Sequence, residues 1–360
     1  MDVVKVGVIG SGFVANIHLE SFKMVPHAEV VAIASPTEEH VRAVAEKHGV
    51  PRWFTDYHDL LTLEEIDMVT LALPNYLHAQ ACIDAAQAGK HVVCEKPVCL
   101  TLEDADRMIE ACRQAGVKLM YAEELCFAPK YVRAKTLVEE GALGKVHRVK
   151  QSEEHFGPDM PWFWDVDLSG GGVLMDMGCH SIEFCRWIYD KQPIKSVYAE
   201  LDTHVHGDKT RGEDHSVTIL KFADGGIGIC ENSWAKHGGV DDVAEINGSL
   251  GVTRADLLRG SSLVTYSEAG YGYAAEKVAT TKGWTFTMFE ETWNYGFPQE
   301  MAHFARCVAE DLEPLETGED GKKVLEVIYA AYQSARRGAV VELPFTPPEG
   351  VAKPIDLWRP

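Results

Sequence analysis

Short apolar, largely β-branched runs alternate with segments of helical period through the first third of the chain. Val3–Ile9 is apolar with one charged break at Lys5, and Glu29–Ala34, Asp67–Leu73, His91–Cys94 and Lys118–Tyr121 repeat the pattern. The segments between them carry helix ends. Ser35-Pro36-x-Glu38 reads as an N-cap, a proline at N1 and an acid at N3, with Gly49 closing that helix. Thr101-Leu-Glu-Asp104 opens another, which Gly116 ends. Strands alternating with helices in this way predict a parallel sheet covered on both faces.

After about residue 122 the rhythm changes. Pro129–Glu140 has helical period, His147–Glu154 reads as a strand, and Leu174–Ile188 reads as one helix behind a glycine run. Strand-like stretches then follow one another: Ser196–Leu201, Ser216–Phe222, Ile227–Trp234, Ala244–Asn247 and Gly251–Ala255. Strands without helices between them predict an open, mostly antiparallel sheet. Helices near Pro298–Ala309 and Gly321–Arg337 come last, and the proline-rich stretch Pro344–Pro360 is expected to lie extended on the surface. The expected fold class is therefore α/β: a doubly wound domain over 1–122, then an α+β domain over 123–360.

Composition narrows the function classes. A chain of 360 residues, 46% hydrophobic and 25% charged, has core enough for two domains. Its formal net charge of −21, from 55 acidic and 34 basic side chains, repels polyphosphate, so nucleic acid is excluded as a partner. A phosphate-bearing ligand must be held locally, by backbone N–H groups or a few placed cations. The nine cysteines are scattered with no C-x-x-C pair, so neither a disulfide framework nor a zinc ribbon is expected. No metal is expected, and a reduced cytoplasm fits. The start of the chain reads as a strand entering a turn rather than a signal peptide, and no apolar run is long enough to span a membrane.

The turn after the first strand carries the clearest chemistry. Val6-Gly-Val-Ile-Gly10-Ser-Gly12-Phe13-Val14-Ala15 is G-x-G-x-x-A between a strand and a helix. Gly10 makes the tight turn, Gly12 lets the backbone approach a pyrophosphate, and Ala15 lets helix pack on sheet; Phe13 and Val14 open the helix whose N–H groups face the phosphates. The second strand lacks the usual acid for the ribose 2′-hydroxyl. Ser35 stands there, either as the ribose contact or as the N-cap alone. No Arg is present to hold a 2′-phosphate, so NAD is expected over NADP.

With Glu95-Lys96-Pro97, Leu73-Pro74-Asn75-x-x-His78, Pro129, Gly141-x-x-Gly144 and Ser169-Gly-Gly-Gly172-Val-Leu-Met-Asp176-Met-Gly178-Cys-His180, the chain resembles the Gfo/Idh/MocA oxidoreductases from residue 3 to about 190. Beyond 190 the resemblance is of general pattern only. It implies a Rossmann domain followed by a domain on an open sheet, whose face often serves in oligomerisation, so a homo-oligomer is expected. It also implies that Lys96, Asp176 and His180 line the place where substrate meets nicotinamide. Leu73, Pro74, Asn75 and Glu95 are expected on the cofactor side, and His78 either there or in a structural role.

Oxidising a secondary alcohol needs an acceptor for a hydride and another for a proton. A histidine suits the proton near neutral pH. Asp176 and His180, at i and i+4, share a face of one helix, so the carboxylate can orient the imidazole. Lys96 follows a strand at its carboxyl end, where α/β sheets bind ligands, and its ammonium can steady an alkoxide. Where family members often carry Asn and Arg, this chain has Glu124 and Cys126; Glu123 and Glu124 either bond sugar hydroxyls or stay solvated. Trp162 and Trp164 either stack on a sugar or pack in the core, and His155 is a further substrate candidate. Tyr131-x-x-x-Lys135 imitates another dehydrogenase pair but lacks its serine, and reads as an ordinary amphipathic helix. His204, His206, Asp208, Asp214 and His215 read as a polar loop rather than a metal site. The expected activity is NAD-dependent oxidation of a ring hydroxyl of a sugar, glycoside or cyclic polyol. Redox-neutral recycling of bound NAD and a non-enzymatic NAD-sensing regulator are the alternatives.

Overall fold

The computed structural model describes residues 3–258, 263–272, 274, 278, 280–287 and 290–358. The last two residues of the expected extended stretch Pro344–Pro360 lie outside these. Two compact units form: residues through Phe127 together with Gly296–Leu325, and Ala128–Tyr295 together with the chain from Glu326.

The first unit is built on β1 (Val4–Ile9), α1 (Phe13–Phe22), β2 (Ala28–Ala34), α2 (Glu38–His48), β3 (Trp53–Phe54), α3 (Tyr57–Leu61), β4 (Met68–Leu71), α4 (His78–Gln87), β5 (His91–Glu95), α5 (Leu102–Ala115) and β6 (Leu119–Ala122). All strands are parallel, in the order β3-β2-β1-β4-β5-β6. The order reverses at β1/β4, which places a ligand crevice at the carboxyl ends of those strands. Val6, Val8, Ile33, Met68, Val69, Val92 and Val93 are fully buried, as strands covered on both faces require. Gly49 and Gly116 end α2 and α5 with positive φ, and Thr101 Oγ1 accepts from Asp104 N–H at 2.9 Å. One expected cap differs. The N-cap of α2 is Thr37, not Ser35: the helix begins at Glu38, and the Ser35 hydroxyl instead accepts from Ser11 Oγ at 2.8 Å. The two-residue β3 is too short to show a period in the sequence.

The later segment belongs here by packing, although the expected division put everything after 122 in one domain. Its helix α11 (Phe297–Ala309; α10 follows below) buries Phe297, Met301 and Phe304. Phe297 lies against His18 and Phe304 edge-on to Phe127, at 6.3 and 5.7 Å between rings, and Tyr121 N–H donates to Glu316 O at 3.1 Å.

The second unit carries α6 (Pro129–Glu139), β7 (Val146–Glu154), α7 (Val166–Ser169), α8 (Val173–Asp176), α9 (Gly178–Ile188), β8 (Ile194–Asp202), β9 (His215–Phe222), β10 (Ile227–Ser233), β11 (Asp241–Gly248), β12 (Val252–Asp256), the hairpin β13 (Leu263–Ser267) and β14 (Gly283–Thr287), α10 (Glu291–Tyr295) and β15 (Val341–Glu342); α12 (Gly318–Arg337) runs through the boundary at 325/326. Its main sheet has the order β12-β11-β7-β10-β9-β8-β15. β7 and β10 pair in parallel, and the other pairs are antiparallel. Along β9, Ser216, Thr218, Leu220 and Phe222 are buried and alternate with more exposed residues, the period of a half-covered sheet. α9 lies on the covered face, and Gly228 lets it down, since a Cβ there would lie 3.1 Å from Cys185 Sγ.

The single helix expected over Leu174–Ile188 is two helices broken at Met177. Side chains at and just after the end of β10 bond to groups at the break: Asn232 Nδ2 donates to Met177 O at 3.3 Å and Trp234 Nε1–H to the Asp176 carboxylate at 3.1 Å. Among the described residues no helix is long and apolar enough to cross a membrane.

Candidate active site

In the first unit the turn after β1 fits a dinucleotide pyrophosphate. Gly10 has φ +117°, and a Cβ there would lie 2.0 Å from Ala72 O at the end of β4. Gly12 is the N-cap of α1, with nothing within 4 Å of where its Cβ would stand and no side-chain cap on the helix. The first N–H groups of α1 are thus left without a side-chain cap. Phe13 is 54% exposed, whereas Ala15 is buried in a cluster with Val8, Ile33 and Val41, against which Val14 packs. Beyond the turn, Ser11 Oγ lies 2.8 Å from both Ser35 Oγ and His40 Nδ1. This set follows the ends of β1 and β2 and includes no Lys or Arg. His40 escaped sequence reading because only the angle of α2 brings it there.

At the ends of β4 and β5 the side chains turn inward. His78 is fully buried, its Nε2 2.8 Å from Leu73 O and its Nδ1 3.0 Å from Pro97 O, and burial lowers its pKa. It ties together the loops that follow the two strands; Leu73 and Pro74 are half-buried beside it, and Asn75 is buried. Glu95 accepts from His18 Nε2–H at 2.8 Å and from Lys96 N–H at 3.1 Å, and Thr70 Oγ1 lies 2.7 Å from His18 Nδ1. Burial alone would raise the Glu95 pKa; the His18 hydrogen bond and the positive charges of His18 and Lys96 outweigh it and hold the carboxyl low. The pair His18–Glu95 fixes the strand end from which half-buried Lys96 projects. His18 was missed, although a polar residue on the buried face of α1 was its signal. Glu123 and Glu124 follow β6 and are buried, as is Cys126. Glu300 on α11 is fully buried. Burial first, then the charges of Glu124, Glu95 and Glu123, push its carboxyl well above the usual range.

In the second unit Asp176 and His180 are both buried, one ending α8 and the other in the first turn of α9. The break at Met177 means that a shared face of one helix is not what places them. Asp176 is anchored on the indole of Trp234, which is fully buried in a cluster with Val173 and Met177. Trp164 packs edge-on to Trp234 at 5.2 Å and carries the Lys209 ammonium 4.8 Å from its ring centre. Trp162 is half-buried and stacks on Phe163 at 3.8 Å. His155 is buried at the end of β7, its N–H donating to Ser233 O at 2.9 Å.

Residues 4–123 match the model of an oxidoreductase family with an NAD-binding Rossmann fold, and residues 131–254 match the Gfo/Idh/MocA C-terminal domain. The chain belongs to the Gfo/Idh/MocA oxidoreductase family. It is 31% identical over 342 residues to myo-inositol 2-dehydrogenase of Thermotoga maritima, covering 94% of this chain and 98% of that one. The crystal structure of GenD2 from gentamicin A biosynthesis, in complex with NAD, superposes with a TM-score of 0.90 at 31% identity, covering 96% of this chain and 97% of that one. Levoglucosan dehydrogenase in complex with NADH and L-sorbose gives a TM-score of 0.82 at 25% identity, covering 96% and 100%.

In this Gfo/Idh/MocA oxidoreductase with NAD as cofactor, two further polar sets are engaged in contacts within the second unit. Tyr131 donates to Asp242, and Lys135 pairs with Asp190, so that pair is spent on holding α6. Asp214 accepts from the N–H groups of His204, Val205 and His206 at 2.7, 2.7 and 2.8 Å, and His206 Nε2 lies 3.0 Å from Trp234 O.

Proposed function

We propose that this oxidoreductase oxidises a secondary ring hydroxyl of a sugar, glycoside or cyclic polyol, with Lys96 and His180 handling the proton. The observation that carries the reading is the single edge of the parallel sheet that holds both the Gly10–Gly12 turn and Lys96. NAD, when bound there, supplies the hydride acceptor. Lys96 donates to the substrate hydroxyl and steadies the developing alkoxide. His180 takes the proton, and Asp176, itself fixed by Trp234, orients the imidazole. The inositol, levoglucosan and xylose dehydrogenases among the relatives support a polyol substrate. We assign contact between copies to the open face of the second sheet, to which Ile219 contributes exposed apolar surface.

The test is reduced-nicotinamide absorbance of the purified protein with NAD and a panel of inositols, hexoses and glycosides. Formation of NADH with a member of the panel supports the reading; none with any member, in a protein that binds NAD, refutes it.

A further inference from the structure

We propose that Glu213, acting with Tyr332, is a positioning residue for Asp176: it caps the N-terminus of α8 from a distant part of the chain. The N-cap of α8 is Gly172, which has no side chain to satisfy the first N–H groups, and no side-chain cap is made locally. All three are met from elsewhere. Gly172 N–H donates to Tyr332 Oη at 3.2 Å, Val173 N–H to Glu213 O at 3.0 Å, and Leu174 N–H to Glu213 Oε1 at 2.9 Å. Tyr332 in turn donates to the Glu213 carboxylate, 2.8 Å from each oxygen. One residue and its phenol partner thus replace a capping box.

The glycine run is shaped to this contact. A Cβ at Gly172 would lie 1.9 Å from Glu213 O, and one at Gly171 would lie 2.2 Å from Tyr332 Oη. The other end of α8 is held through the next residue along. Asp214 O accepts from Trp234 N–H at 2.8 Å, and the Trp234 indole donates to Asp176. Glu213 and Asp214 therefore fix both ends of the four-residue helix that ends in Asp176.

Glu213 is fully buried, and among the described residues Tyr332 is the titratable group bonded to it; no Lys, Arg or His pairs with it. Burial pushes its carboxyl up to about 7, against the hydrogen bonds it accepts. Burial first, then the Glu213 charge, pushes the Tyr332 phenol far up, so Tyr332 stays a donor. Protonation takes one acceptor from the network, so the cap accepts most strongly when Glu213 is ionised, whereas burial of that charge is what costs stability.

The inference rests on the role given to Asp176 above, and amide exchange tests it independently of activity. Full-length protein is compared with its Tyr332→Phe and Glu213→Gln variants by hydrogen exchange and mass spectrometry. In Tyr332→Phe, exchange over 172–174 rises about tenfold, the loss of one hydrogen bond, while β1 and α1 are unchanged. Glu213→Gln keeps an acceptor but cannot ionise; its exchange over 172–174 loses the pH dependence that wild type shows near 7. On a turned-over substrate, kcat of Glu213→Gln loses the same pH component while affinity for NAD is unchanged. Unchanged protection in Tyr332→Phe, or a wild-type pH profile of exchange in Glu213→Gln, overturns the proposal. Absence of turnover with any sugar, with exchange behaving as expected, instead counts against the proposed function alone.

Discussion

Replacing Gly10 and Gly12 singly by alanine separates what the first turn does for the fold from what it does for the cofactor. At Gly10 the backbone has φ +117°, and an added Cβ would lie 2.0 Å from Ala72 O. The conformation alone costs about 1–2 kcal/mol for a residue with a Cβ. Relieving the clash must part the ends of β1 and β4, where Ala72 N–H donates to Ile9 O at 2.8 Å. Losing that bond adds about 1 kcal/mol. The sum, roughly 2–3 kcal/mol, lowers the melting temperature by about 4–12 °C in a unit of this size. Gly12 has φ −73° and open space around its Cβ position, so Gly12→Ala changes stability by less than about 1 kcal/mol. The new methyl instead fills the approach to the α1 N–H groups, and NAD affinity falls about tenfold or more, the scale of one lost charge-assisted hydrogen bond. Thermal denaturation and titration with NAD read both variants. A Gly12→Ala protein that binds NAD like wild type, or melts as low as Gly10→Ala, refutes the assignment of this turn to the pyrophosphate.

Three further outcomes follow from the geometry. His18→Leu strips the partner from the buried Glu95 carboxylate and destabilises the protein by roughly 3–5 kcal/mol. Because the folded Glu95 pKa is depressed, that stability exists above the ordinary carboxylate range and is lost as pH falls, so the variant and wild type should converge in melting temperature at acid pH. Glu213 has the opposite sign: its carboxyl rises from 4.5 to about 7 on folding, so its contribution is fully present below 4.5 and lost by about 7, roughly 3 kcal/mol in all. Melting curves of Glu213→Gln between those limits should lack that slope. Lys135→Gln, which breaks the ion pairs to Asp190 and Glu139, should leave kcat within about twofold while lowering stability, as steady-state rates and melting curves will show.

The parallel sheet was legible because its strands β1, β4, β5 and β6 are buried on both faces and read as nearly continuous apolar runs, and because the helices between them end at glycines whose positive φ is visible as residue type. The Gly10–Gly12 turn was legible for the same reason. What escaped has a common cause: it depends on side chains distant in sequence. The helix over 174–188 looks continuous by period, yet it breaks at Met177, whose carbonyl and neighbouring Asp176 carboxylate are bonded by Asn232 and Trp234. Ser35 looks like a cap, yet α2 starts two residues later than that reading needs and the Ser35 hydroxyl accepts from Ser11, 24 residues away. Glu300 reads as an ordinary acid in the first turn of an amphipathic helix, and only the fold surrounds it with Glu95, Glu123 and Glu124. The return of 296–325 to the first unit leaves no mark in local period, since an amphipathic helix does not state which sheet its apolar stripe will cover.

The most direct test of the proposed oxidation is the fate of carbon-bound hydrogen. A polyol or sugar deuterated on its ring carbons is incubated with the protein and NAD, and both products are weighed by mass spectrometry. The account predicts one deuterium in the NADH formed and one lost from a product that has become a ketone, with neither change in the Lys96→Met or His180→Ala protein. NADH without deuterium, or full transfer in those two variants, would contradict it.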